Sequence, residues 1–282
     1  MRSMLYLVDG DGLLYRAANA IPYFTNANSL PTNGLHGFAA MMWNLLRMAK
    51  PSHMAVAFTA DPPLLKHRWD PAYKINHYVH PDEIKVQIPY AMRFVKALGV
   101  QAFLEPGYEA DDVLATLLQH RPRVQTRIVS SDRDFYQLVS ERVRVLVPVR
   151  GVSAMREVGP AEVEAQYGIK PWQIPDMKAL TGDPSDDIPG VRGIGPKTAA
   201  ALLEEFPTVE LLLNNLTQVT MPGVRPRLEP MRERILLNKR LATPEIVRFK
   251  QKPTLVVRPP RGRTLRTLAG ETGVGSFAPR RA

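Results

Sequence analysis

The acidic residues of this chain crowd into a few short stretches. Asp9 lies in Leu-Val-Asp-Gly, and Glu109, Asp111 and Asp112 lie in Gly-Tyr-Glu-Ala-Asp-Asp. Asp132 and Asp134 lie in Ser-Ser-Asp-Arg-Asp, and Asp183, Asp186 and Asp187 in Thr-Gly-Asp-Pro-Ser-Asp-Asp. So many carboxylates cannot all ionise at close range without a counter-charge. Divalent cations supply one, and an all-oxygen ligand set suits Mg²⁺ or Mn²⁺ rather than zinc. Two such ions about 4 Å apart can activate a water and stabilise the leaving oxygen of a phosphodiester. An Asp after a strand is also a common helix N-cap, and Asp111 and Asp132 admit that reading too. The recurrence of acids after successive strands is what points to a metal site.

Those strands are visible as short apolar runs at 5–8, 54–58, 101–104, 127–129 and 143–147, alternating with helical spacing at 34–48, 84–98 and 110–119. The alternation predicts an α/β fold, a central mostly parallel sheet flanked by helices. Ligands bind such sheets at the carboxyl ends of the strands. Asp9 follows the first run, Thr59 and Asp61 the second, Glu109, Asp111 and Asp112 the third, and Asp132 and Asp134 the fourth. Four distant segments thus deliver acids to one edge. After Pro160 the pattern turns helical, at 160–167, 173–180, 196–205, 208–215 and 229–240. This divides the chain into a core at 1–159, a helical subdomain at 160–250, and a basic tail at 251–282 with a short helix at 263–268 and a disordered end. Asp183, Asp186 and Asp187 would close the acidic cluster from the helical side.

The stretch 188–203 reads Ile-Pro-Gly-Val-Arg-Gly-Ile-Gly-Pro-Lys-Thr-Ala-Ala-Ala-Leu-Leu. Gly190, Gly193 and Gly195 permit tight turns and close backbone approach. Pro196 suits a first helical turn, where free N–H groups and Lys197 would bind phosphate. This is the sequence form of a helix–hairpin–helix clamp on duplex backbone. The formal net charge of +10 agrees with a polyanionic partner. The absence of cysteine excludes disulfides and thiolate chemistry. No apolar run reaches the roughly 20 residues that cross a bilayer, and the expected location is cytoplasmic.

With these motifs in this order, the chain resembles the bacterial and phage 5′-3′ exonucleases, the flap endonuclease family that includes the N-terminal 5′ nuclease domain of DNA polymerase I. The resemblance spans roughly 4–250 and extends to the Gly275-Ser-Phe near the end. It implies a PIN-like 5′ nuclease core and a metal-dependent enzyme that cuts DNA at single-strand/double-strand junctions in replication or repair. DNA with 5′ flaps or ends is the implied partner, with RNA–DNA hybrids a further substrate, and the protein acting as a monomer. Asp9, Glu109, Asp111 and Asp112 would hold one ion, and Asp132, Asp134, Asp183 and Asp186 the second. Residues 62–98 would contain the family's arch, with Tyr73 stacking on a base, Lys74 stabilising the scissile phosphate, and Lys66 as a further basic contact. The hairpin would bind K⁺ through backbone oxygens.

Two positions depart from the family. Thr59 stands where an Asp is expected, which implies weakened metal affinity or a need for Mn²⁺ unless Asp61 or Asp11 compensates. His77 stands where the arch often has Arg. A structure-selective DNA-binding protein with weakened catalysis is therefore the second reading, supported by Thr59. A PIN-like RNA nuclease is a third, opposed by the glycine hairpin.

Overall fold

The computed structural model describes residues 4–76, 82–121 and 123–275. Six strands form one sheet in the order β3-β2-β1-β4-β5-β6. They are β1 (Met4–Asp9), β2 (His53–Phe58), β3 (Gln101–Leu104), β4 (Gln125–Val129), β5 (Val143–Arg150) and β6 (Ala154–Val158). The first five are parallel, and β6 runs antiparallel beside β5. A parallel sheet is covered on both faces, which is why its strands are apolar on both sides. Leu5, Leu7, Ala55, Ala57, Ile128 and Val145 face one layer, while Val8, Met54, Val56, Phe58 and Val129 face the other.

The second layer is built by α1 (Gly10–Ala20), α2 (Asn33–Ala49), α3 (Asp82–Lys85) and α4 (Ile88–Ala97). The first layer begins with α5 (Ala110–Gln119), whose Val113, Leu114 and Leu117 are buried against the sheet. The helical part continues that same core. It comprises α6 (Pro160–Tyr167), α7 (Ile174–Thr181), α8 (Pro196–Glu205), α9 (Val209–Asn214), α10 (Arg225–Leu228) and α11 (Arg232–Ala242). A final α12 (Gly262–Thr272) seats Leu265 and Leu268 in the layer of α4. Among the described residues no helix is long and apolar enough to cross a membrane.

Three features differ from the sequence expectation. Helix α1 was not expected, because its first turn reads Gly-Asp-Gly. It forms because Asp9 caps it and Leu13, Leu14 and Ala17 share one buried face. Strand β6 was not expected either, since it is an edge strand with most residues exposed and no apolar alternation to read. The tail helix is longer than 263–268 and is held to α4 by an Arg93–Glu271 ion pair of 2.7 Å. Of the span read as an arch, α4 is a core helix with Ile88, Ala91, Phe94 and Val95 buried. His77 lies outside the described residues, as do Ser276 and Phe277.

The connection from α7 to α8 is folded back on itself. Asp183 and Ile188 form an antiparallel bridge, and the buried Asn238 of α11 donates to the carbonyls of Ala179 (3.2 Å) and Pro189 (2.7 Å). A β-carbon at Gly190 would sit 2.2 Å from the Thr181 carbonyl oxygen, a backbone atom with nowhere to go. Gly190→Ala is therefore expected to destabilise the protein by about 2–3 kcal/mol, the scale of overpacking a tight site. A fall in the urea midpoint with an unchanged slope checks this.

Candidate active site

The acids converge because each closes a strand or opens a helix at one edge of the sheet. Asp9 ends β1 and caps α1, with Oδ1 accepting from Gly12 N (2.9 Å) and Oδ2 from Ser130 Oγ (2.6 Å). Asp11 sits in the first turn of α1 and accepts from Thr59 N at 2.6 Å. Thr59 follows β2, and its Oγ1 accepts from Ala110 N (3.1 Å) at the start of α5. Glu109 is the N-cap residue of α5, with Asp111 and Asp112 in its first turn. Asp132 follows β4 and caps the 3₁₀ turn Arg133–Leu138 by accepting from Asp134 N (2.9 Å). Its capping role and its place at the edge therefore coexist.

Two adjoining cavities result. Asp9, Asp11, Thr59, Lys74, Glu109, Asp111 and Asp132 line the first, with Tyr15 at its rim. Asp132, Asp134, Asp183 and Lys178 line the second, so Asp132 belongs to both. Two sets of carboxylates bring ligand oxygens within 4.8 Å of one another: Glu109 with Asp111 and Asp112, and Asp134 with Asp183 and Asp186. The donors are all carboxylates, with no imidazole or thiolate, which fits hard divalent cations.

Lysines supply part of the counter-charge. Buried Lys66 stands 2.8 Å from Glu109 Oε2, and Lys74 stands 2.5 Å from Glu109 Oε1 and 3.3 Å from Asp186. Lys178 of α7 bridges Asp134 and Asp183. Burial would raise the Glu109 carboxyl, but the two ammonium groups outweigh it and hold Glu109 well below the usual range. Asp183 is likewise lowered against its burial by Lys178. The other acids are relieved less. Burial pushes Asp9 up to about 6, helped by the charge of Asp11, and burial also pushes Asp11 up to about 6. Asp134 and Asp186 rise to about 6, first through burial and then through neighbouring carboxylates.

Several residues near the site are engaged by neighbouring groups. Tyr73 is 1% exposed and donates its hydroxyl to Glu109 Oε2 (2.9 Å), so it offers no face for stacking on a base. Lys66 is buried beside it and touches carboxylate rather than solvent. Both oxygens of Asp112 are taken by backbone, from Glu109 N (3.0 Å) and Glu245 N (2.6 Å), and burial followed by Asp111 raises it to about 7. Asp61 is turned away, its side chain 71% exposed and paired with Lys85 at 2.8 Å. Trp69 lies under the guanidinium of Arg240 at 3.6 Å. Asp187 binds Asn76 rather than joining the cluster. In the hairpin, Val191 and Ile194 are buried anchors while Arg192, Gly195 and Lys197 are exposed. Gly193 turns with φ +80°, and its carbonyl accepts from Arg227 (3.1 Å). Sequence reasoning missed Lys178 and Tyr15. Tyr15 lies six residues beyond Asp9 on a helix the sequence did not announce, and nothing local marks Lys178.

Two family models match the chain: the 5′-3′ exonuclease N-terminal resolvase-like domain over residues 4–168, and the 5′-3′ exonuclease C-terminal SAM fold over 169–248. The 5′-3′ exonuclease of Aquifex aeolicus is 36% identical over 213 residues, which is 75% of this chain and 72% of that protein. DNA polymerase I of Mycobacterium tuberculosis is 42% identical over 219 residues, 76% of this chain. The chain spans only 24% of that polymerase's length. Among solved structures, the bacteriophage T5 flap endonuclease in a pseudo-enzyme-product complex with DNA and metal ions superposes with a TM-score of 0.65. It is 21% identical, with 85% of this chain and 88% of that one covered, and at that identity the likeness speaks to the fold.

Below about pH 6 a cation entering these cavities must displace protons from Asp9, Asp11, Asp134 and Asp186. In the folded, cation-free protein these raised values favour the fold below the unfolded value of about 3.9, and that contribution is lost as pH rises through about 6. Mn²⁺ should therefore raise the melting temperature clearly at pH 8 and far less at pH 5. Scanning fluorimetry with and without Mn²⁺ checks this, and equal shifts at both pH values would contradict it.

Proposed function

Because the chain belongs to the 5′-3′ exonuclease family, we propose that it is a metal-dependent, structure-specific 5′ nuclease that hydrolyses DNA near single-strand/double-strand junctions. The observation that carries this reading is the pair of carboxylate cavities sharing Asp132 beside the hairpin. Asp9, Glu109 and Asp111 would hold one Mg²⁺ or Mn²⁺ ion, and Asp132, Asp134, Asp183 and Asp186 the second. Bound there, the two ions supply an activated water and neutralise charge on the cleaved phosphodiester. Asp112 shares the cluster of Glu109 and Asp111, and its bonds to the backbone at Glu109 and Glu245 fix the start of α5.

The remaining groups bind and orient. Lys74 lines the first cavity with its side chain 22% exposed, so it can meet a phosphate there while staying beside Glu109. Lys66 and Tyr73 act from behind, fixing the Glu109 carboxylate from two sides. Tyr15 at the rim is 49% exposed and offers a flat ring on which a terminal base can stack. The exposed start of α8 with Arg192 and Lys197 grips duplex phosphates, and K⁺ on hairpin backbone oxygens would add to that grip. RNA–DNA hybrids, a role in replication or repair, a monomeric state and a cytoplasmic location complete the reading. A DNA-binding protein with weakened catalysis is the second reading, and the carboxylate of Asp11 beside Thr59 weighs against it.

Incubation with a 5′-flap duplex and Mg²⁺ or Mn²⁺, followed by mapping of the cuts, tests the proposal. Products should begin at the junction, and their absence with both ions would refute it. Asp132→Asn, which touches both cavities, should lower the cleavage rate by roughly 10²–10³-fold, the loss of several kcal/mol of charge stabilisation. Flap binding in Ca²⁺, followed by fluorescence anisotropy, should persist in that variant. Lys197→Ala should instead weaken binding and reduce the salt slope by about 1.

A further inference from the structure

Position 59 is uncharged in this chain, yet the wall it belongs to is not. Helix α1 starts directly at the end of β1, so residue 11 falls in its first turn, where a helix N-terminus favours negative charge. Asp11 is buried and lines the cavity formed by Asp9, Glu109, Asp111 and Asp132. Its Oδ2 accepts from the backbone N–H of Thr59 at 2.6 Å. The Thr59 hydroxyl accepts from Ala110 N at 3.1 Å, next in sequence to Glu109. Thr59 thus ties α1 to α5 across the cavity, holding Asp11 with its backbone and the start of α5 with its side chain. The other nearby acid, Asp61, is drawn outward to Lys85 and cannot serve the same wall.

We propose that Asp11 is a cation-binding carboxylate of this cavity, with Thr59 as the positioning residue that aims it. The inference rests on the reading of the cavity as a metal centre. It relocates a negative charge by one wall: the carboxylate comes from the first turn of α1, and the residue after β2 presents it. Helix capping does not require this carboxylate, since Asp9 already caps α1, and Asp11 faces the cavity that Asp9, Glu109 and Asp111 line.

Asparagine separates the two roles, because Asp11→Asn keeps an oxygen for the Thr59 N–H while removing the charge. Mn²⁺ binding to the DNA-free protein is read by electron paramagnetic resonance of the free ion and by titration calorimetry. Asp11→Asn should weaken the tighter Mn²⁺ site about tenfold while leaving the cation-free melting temperature no lower. Adding Thr59→Asp to that variant should restore most of the affinity, because residue 59 faces the same cavity. Unchanged affinity in Asp11→Asn overturns the proposal, and so does failure of Thr59→Asp to rescue it. If Asp11→Asn does not fold, Thr59→Asp alone decides. With Asp11 already in place it should change affinity less than twofold, and a tenfold gain overturns the proposal. A wild-type protein that takes up no Mn²⁺ overturns the metal-centre reading itself, and this inference with it.

Discussion

The controlling constraint is repulsion among carboxylates held out of water. Asp9, Asp11, Glu109, Asp111, Asp132, Asp134, Asp183 and Asp186 meet at the ends of elements far apart in sequence, and the fold must oppose their mutual charge to bring them there. It does so with three lysines that come from outside the acidic motifs. Lys66 and Lys74 lie on the segment after β2, and Lys178 lies on α7. Three ammonium groups do not neutralise so many acids, and several carboxyls remain raised toward neutrality. The residual charge is what a divalent cation would meet, so stability and cation affinity are two expressions of one electrostatic imbalance.

Two of these lysines, Lys74 and Lys178, also join the two halves of the molecule. Leu64 and Tyr73 from the segment after β2 share a small core with Ile188, Leu241 and Ala242 of the helical part. Arg234 pairs with Asp70, Arg240 covers Trp69, and Asn76 N donates to Asp187 at 2.9 Å. Lys74 itself takes a left-handed conformation, φ +52°, held by its N–H donating to the Asp186 carbonyl at 3.0 Å. A non-glycine residue stays in that region only where its surroundings fix it. The position of its ammonium group between Glu109 and Asp186 is therefore set by both halves together.

Much of this was legible in the sequence, for a physical reason. A buried parallel strand is a short apolar run, and the residue after it falls at the sheet edge where sites form, so Asp9, Glu109, Asp111, Asp132 and Asp134 could be placed on one edge without coordinates. What escaped depended on long-range partners. Tyr73 looked like a surface aromatic beside a lysine, and only its hydrogen bond to Glu109, 36 residues away, shows that it faces inward. Lys178 sits in an ordinary helical turn, and nothing local reveals that it spans Asp134 and Asp183. Asp11 could be named as a stand-in for Thr59, but its place in the first turn of α1 depends on a helix whose glycine-flanked start gives no helical signal. Strand β6 went unread because an exposed edge strand carries no apolar pattern.

The small core around Tyr73 also bears on how the protein comes into being. Asp9, Glu109 and Asp132 lie in the first half of the chain, where β1 pairs with β2 and β4. Ile188, Arg234, Arg240 and Leu241 arrive more than a hundred residues after Lys74. Until then the segment bearing Lys66 and Lys74 lacks the surface on which it rests. A chain that stops short of α11 thus carries Asp9, Glu109 and Asp132 without the seat on which the Lys66–Lys74 segment rests.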